Sequence, residues 1–148
     1  EGFDIDASLS HLAGNWSKID PRVGNAILLT DPIVTPGWKW SIGAQYKADL
    51  GTAGSITPRF DAAYTGKTSA GRVAAGGPID YFPAYTLANA RLTWRNADED
   101  LSIALEVQNV FNKYYTPARF ATVYAFSGTI YSQVGRPREW AITVKKQF

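Results

Sequence analysis

"WKWSIGAQYKADL", residues 38–50, decides how the chain reads. Its even positions are Trp38, Trp40, Ile42, Ala44, Tyr46, Ala48 and Leu50, all apolar. Its odd positions are Lys39, Ser41, Gly43, Gln45, Lys47 and Asp49, all polar or glycine. A period of two puts each set on its own face of an extended chain, whereas a helix would scatter both around its circumference. The stretch predicts a long β-strand with one apolar and one polar face.

The same two-step recurs on either side. Phe3, Ile5, Ala7 and Leu9 alternate with Asp4, Asp6, Ser8 and Ser10. Ile56, Phe60, Ala62 and Tyr64 alternate with Thr57, Arg59, Asp61 and Ala63, and Ala88, Ala90, Leu92 and Trp94 alternate with Asn89, Arg91, Thr93 and Arg95. Residues 101–111 repeat it through Leu101, Ile103, Leu105, Val107 and Phe111, and residues 140–148 through Trp140, Ile142, Val144 and Phe148. This makes about six strands, most of about ten to thirteen residues, where globular strands average about five or six. A tilted strand needs about 9–11 residues to cross a bilayer.

The connections alternate in length. "GTAGS" (residues 51–55) and "NADED" (residues 96–100) are short and built of turn residues. The joints 13–37, 67–83 and 112–135 are long and rich in Gly, Pro and Tyr. Short turns at one end and long loops at the other describe an antiparallel up-and-down transmembrane β-barrel, with the turns periplasmic and the loops extracellular. The expected fold is therefore all-β, a fragment of such a barrel. If "NADED" is periplasmic, the last strand runs inward and Phe148 faces lipid at the inner rim. Trp38, Trp40, Phe60, Tyr64, Tyr85, Phe111 and Trp140 then gather toward the outer rim as one aromatic girdle, with Trp94 near the inner.

Composition narrows the classes. Of 148 residues, 45% are apolar and 19% charged, so the chain can bury a core and is not disordered by composition. A net charge of +2 without a basic-aromatic cluster gives nucleic acid no footprint. There is no Cys, hence neither a disulfide framework nor a Cys metal site. There is no Met either, and the chain opens on Glu1, which reads as a piece of a longer chain. No apolar run approaches the roughly 18 residues of a membrane helix. Aromatic residues, at 14%, are dense, as membrane interfaces require.

"NVFNKYY" (residues 109–115) followed by "GRPREWAITVKKQF" (residues 135–148) resembles the C-terminal signature of TonB-dependent outer-membrane receptors. The residues carrying it are Asn109, Phe111, Asn112, Tyr115, Gly135, Arg136, Pro137 and Phe148. The resemblance is specific over residues 84–148 and extends in style to 1–83. It implies a plugged barrel of about 22 strands that imports a scarce ligand, a siderophore, cobalamin or glycan, with energy passed on by TonB. It also implies a last strand read by the barrel-assembly machinery. Lys146 departs from the family pattern, which has an aromatic or other apolar residue third from the end. The chain would be the C-terminal segment of such a barrel, spanning residues 1–148, with the plug and earlier strands absent. Neither the residues nor the resemblance asks for a cofactor, a metal or a catalytic group.

Two kinds of site are expected. Lys39, Lys47, Arg59, Asp61, Arg91 and Glu106 belong to the polar set and would face the lumen. Arg119, Tyr124, Phe126 and Tyr131, in the last long loop, combine aromatic rings with an Arg and would suit ligand capture. Pairing across "NADED" is expected to sum to 197, which sets Arg91 opposite Glu106 and Leu92 opposite Leu105; a slip by two, with Arg91 opposite Ala104 or Gln108, preserves the facing and stays open. Two other readings stay open: a complete small outer-membrane barrel with a structural or adhesive role, and a soluble β-domain that binds a ligand. In the last, the apolar faces would be covered by a second sheet.

Overall fold

The computed structural model describes residues 2–120 and 128–148. Six long strands form one antiparallel sheet. They are β1 (Gly2–His11), β2 (Trp38–Asp49), β3 (Ser55–Thr65), β6 (Tyr85–Arg95), β7 (Leu101–Gln108) and β10 (Glu139–Lys146), in spatial order β1-β2-β3-β6-β7-β10. Every long strand pairs with the next long strand along the chain, an up-and-down order. Two short hairpins stand in the long loops: β4 (Thr68–Arg72) with β5 (Ile79–Phe82), and β8 (Ala118–Phe120) with β9 (Tyr131–Gln133).

The register keeps the two faces apart over the whole sheet. Ile5 lies opposite Ala44, Ile42 opposite Ala62, Ala62 opposite Ala88, and Leu105 opposite both Leu92 and Ile142. Asp4 lies opposite Gln45, Gln45 opposite Arg59, and Arg59 opposite Arg91. The expected register across "NADED" is present, with Arg91 opposite Glu106 and Trp94 opposite Ile103. A slip of one residue would carry Arg91 onto the apolar row.

No second layer covers the apolar face. Ala88 and Ala104 are the only apolar side chains buried among the described residues. Ile42, Leu92 and Leu105, on the inner strands, are 45%, 42% and 41% exposed. A soluble sandwich would hide these groups beneath a facing sheet; an apolar face left open over this breadth marks an interaction surface such as lipid. Among the described residues, no helix is long and apolar enough to cross a membrane.

Several details differ from the sequence expectation. The strand expected over residues 101–111 ends at Gln108, because Asn109 takes a left-handed backbone, φ 50°. Phe111 therefore leaves the alternation and stands exposed beyond the strand. The last strand stops at Lys146, so Phe148 lies past its end, fully exposed. Tyr85 pairs with Thr65 and belongs to the charged face, not to an outward girdle. Phe60, opposite Ala44 and Ala90, sits at mid-strand rather than at a rim. Trp38, Trp40, Tyr64 and Trp140 do lie toward the loop end of the apolar face, where Trp40 stacks on Tyr64 with ring centroids 5.7 Å apart.

Candidate functional site

The charged face begins with β2 and β3. Lys39 and Lys47 lie on the polar row of β2, Arg59 and Asp61 on that of β3, Arg91 on β6 and Glu106 on β7. Arg59 is its centre. Its guanidinium donates to Asp61 at 2.6 Å and, across the intervening β2, to Asp6 at 2.8 Å. Gly43 lies between these partners on β2, and a Cβ there would overlap the Arg59 guanidinium. A mid-strand glycine on a polar row is therefore room made for an ion cluster. Arg91 meets Glu106 at 3.0 Å, and Lys47 reaches Glu99 in the "NADED" turn at 3.4 Å. Asp6 and Glu99 complete a network that periodicity alone did not single out.

At the loop end, Lys39 stands apart. It lies between Ser10 of β1 and Thr65 of β3, and it has no ion-pair partner among the described residues. It borders a cleft of about 280 Å³ under the loops, lined also by Val34, Thr65, Phe82, Tyr85 and Thr116.

The loops are tied to one another through the β4–β5 hairpin. Arg72 of β4 donates to Asp31 of the first long loop, at 2.8 Å through Nε, and forms a close ion pair with it through its terminal nitrogen. Both side chains are largely buried. The Asp31 carboxyl is held below the ordinary carboxylate range, chiefly by Arg72; burial opposes this, and the Leu28 N–H adds to it. Asp80 of β5 accepts from Arg119 of β8 at 3.0 Å on both oxygens. Arg119, expected in ligand capture, is thus engaged with a neighbouring loop. Tyr131, on β9 opposite Phe120, is exposed. Tyr124 and Phe126 lie outside the described residues. Asp31, Arg72 and Asp80 carry no sequence signal beyond being charged loop residues.

The C-terminal motif forms a clasp where β7 gives way to the last loop. Asn109 is buried; its amide donates to the carbonyls of Lys113 and Arg136, at 2.9 and 3.0 Å, and its oxygen accepts from the Lys113 N–H. Asn112 accepts from the Arg138 N–H at 3.0 Å. The Tyr115 ring lies over Gly135, where any Cβ would overlap it, and the Gly135 N–H donates to the Tyr115 carbonyl. Pro137 follows the Asn109-bound Arg136 carbonyl, and Arg136 pairs with Glu139 at 3.5 Å. Asn109, Asn112, Tyr115, Gly135 and Arg136 thus hold the entry to β10 against the exit of β7, while Phe111 and Phe148 stand exposed outside the clasp. At the other end, Lys146 forms a close ion pair with Asp100, which also accepts from Asn96 at 2.7 Å.

A family model described as TonB dependent receptor-like, beta-barrel matches residues 1–110. No curated protein sequence matches. Among solved structures, the closed form of the ferric-catecholate import receptor Fiu from Escherichia coli K12 is similar over 99% of this chain, at 20% identity and a TM-score of 0.75. Its open form is similar over 77% of the chain, at 25% identity and a TM-score of 0.62. The alignments cover 19% and 16% of that receptor, so the chain spans less than a fifth of its length. The two-faced sheet of long strands, with short turns at its periplasmic end and long loops at its extracellular end, has the build of that outer-membrane barrel. The chain belongs to the TonB-dependent receptor β-barrel family of the outer membrane.

Proposed function

We propose that this sheet is one arc of a larger outer-membrane barrel that imports a ferric siderophore with energy delivered through TonB. The observation that carries the arc is an apolar row that crosses all six strands, interrupted only at strand ends by His11, Thr86 and Lys146, backed by a face that is mostly polar or charged. Lipid covers the first face; the second lines a lumen with a plug. The free ladder edges of β1 and β10 need strands beside them, because an unpaired backbone group in hydrocarbon costs several kcal/mol. The similarity to a ferric-catecholate import receptor supports the ligand class. The last strand, β10, presents the barrel-assembly machinery with its alternate apolar residues.

The test is uptake of radiolabelled iron as a ferric catecholate by iron-starved cells that express the whole receptor. Uptake should disappear on deletion of the receptor gene and on removal of TonB. Uptake unchanged by either deletion would overturn the reading.

A further inference from the structure

We infer that the cleft at Lys39 is a subsite for an aryl oxyanion, a ring bearing a carboxylate or a metal-bound catecholate. This rests on the proposed import of a ferric chelate and assigns its first contact to particular residues.

The argument starts from charge. Arg59, Arg91 and Lys47 each have a carboxylate partner on or beside the charged face, and the other cations of that face without one among the described residues, Arg95 and Lys145, lie at its turn end away from the cleft. Lys39 has none among the described residues. Its neighbours on that face are hydroxyls: Ser10 and Thr65 opposite it in the ladder, and Ser41 two residues on, which bonds Ser8 at 2.8 Å. An ammonium among neutral donors is a ready site for an anion, and the Thr65 hydroxyl, which lines the cleft with Lys39, can share the anion's oxygens.

The walls favour a ring. Phe82 and Tyr85 line the cleft with Val34 and three prolines, and Thr65, Thr68 and Thr116 add hydroxyls beside Lys39. Tyr85 is braced by the Tyr115 ring, centroids 4.8 Å apart, so the clasp of the C-terminal motif supports this wall. Apolar walls with few convergent polar groups are the build of a small-molecule site. A volume of about 280 Å³ lies just below the about 300–1,000 Å³ of clefts that take a drug-sized ligand. It accommodates one ring-sized arm of a chelate rather than the whole.

The probe is iron-free 3,4-dihydroxybenzoate, titrated into the full-length receptor in detergent and followed by calorimetry, with catechol as the uncharged comparison. Wild type should bind the acid about tenfold or more tightly than catechol, the loss expected for one charge-assisted contact. Lys39→Gln should weaken the acid about tenfold and Lys39→Arg should restore it to within about threefold. Val34→Trp, at an exposed wall position, should block the acid by filling the cleft. No binding to wild type, or equal affinity in wild type, Lys39→Gln and Val34→Trp, would overturn the subsite. Ferric-catecholate uptake is measured in the same variants. Acid binding that depends on Lys39, found in a receptor that takes up no ferric catecholate, would count against the transport reading alone and leave the subsite standing.

Discussion

Asn109 shows how much one side chain can fix. It adopts a left-handed backbone that asparagine tolerates better than most residues, and its amide joins three backbone groups from two segments. Replacing it with Ala removes those bonds and keeps the backbone cost, so Asn109→Ala should destabilise the receptor by about 2–4 kcal/mol. Asn109→Gly removes the same bonds without the backbone cost and should lose less. Urea unfolding of the receptor in lipid vesicles measures both, and equal losses would mean that the backbone contributes nothing. Gly135 makes the complementary case, a position where the side chain must be absent. Gly135→Ala should be destabilising, and shrinking Tyr115 to Leu in the same chain should recover part of the loss, since the two sites share one contact.

At the scale of the strand, facing decides energetics. Ile142 and Thr143 are neighbours on β10 that point to opposite faces. Ile142→Arg should cost about 2–4 kcal/mol in a lipid-embedded barrel and Thr143→Arg far less. Equal costs would reverse the assignment of the faces. Arg91 and Glu106 are partly exposed, so a double-mutant cycle should give a coupling near the low end of about 0.2–1 kcal/mol. The end of β10 depends on pH. Lys146, and then Asn96, hold the Asp100 carboxyl below its ordinary value of 3.8. A depressed folded-state value means that this stabilisation is complete above the ordinary value and fades as pH falls through the depressed one. Exchange protection of the backbone near Lys146 should therefore drop between about pH 6 and about pH 3. Asp100→Asn should remove the difference between the two conditions.

For the molecule as a whole, the loops act as one body because the β4–β5 hairpin grips both neighbours. Arg72 holds the first loop through Asp31, and Asp80 holds the third through Arg119. Removing one grip leaves the other, so Arg72→Ala or Asp80→Asn alone should raise loop cleavage modestly. The double variant should exceed the sum of the two. Limited trypsin digestion of intact cells reads this directly, and strictly additive cleavage would show that the two ties are independent. The same coupling bears on the cleft at Lys39, because Phe82, which ends β5, forms part of its wall.

The sequence by itself determined the long strands and their two faces, and it favoured the pairing of Arg91 with Glu106. Period-two alternation is a local property that forbids a slip by one residue; a slip by two keeps the facing, and the tertiary structure decided between them. The sequence also carried the family, through motif residues whose spacing is fixed by the clasp they form. Only the tertiary structure decided the contacts that have no period. Asp31, in the first long loop, and Arg72, at the end of β4, are 41 residues apart, and nothing in either segment announces the other. Asp6 joins Arg59 because β2 lies between their strands and offers Gly43 there. Tyr85 was assigned a place by its height along the strand, yet its parity with Thr65 sets it on the charged face, where it walls the cleft. Alternation fixes which way a side chain points; what it meets depends on how distant segments are brought together.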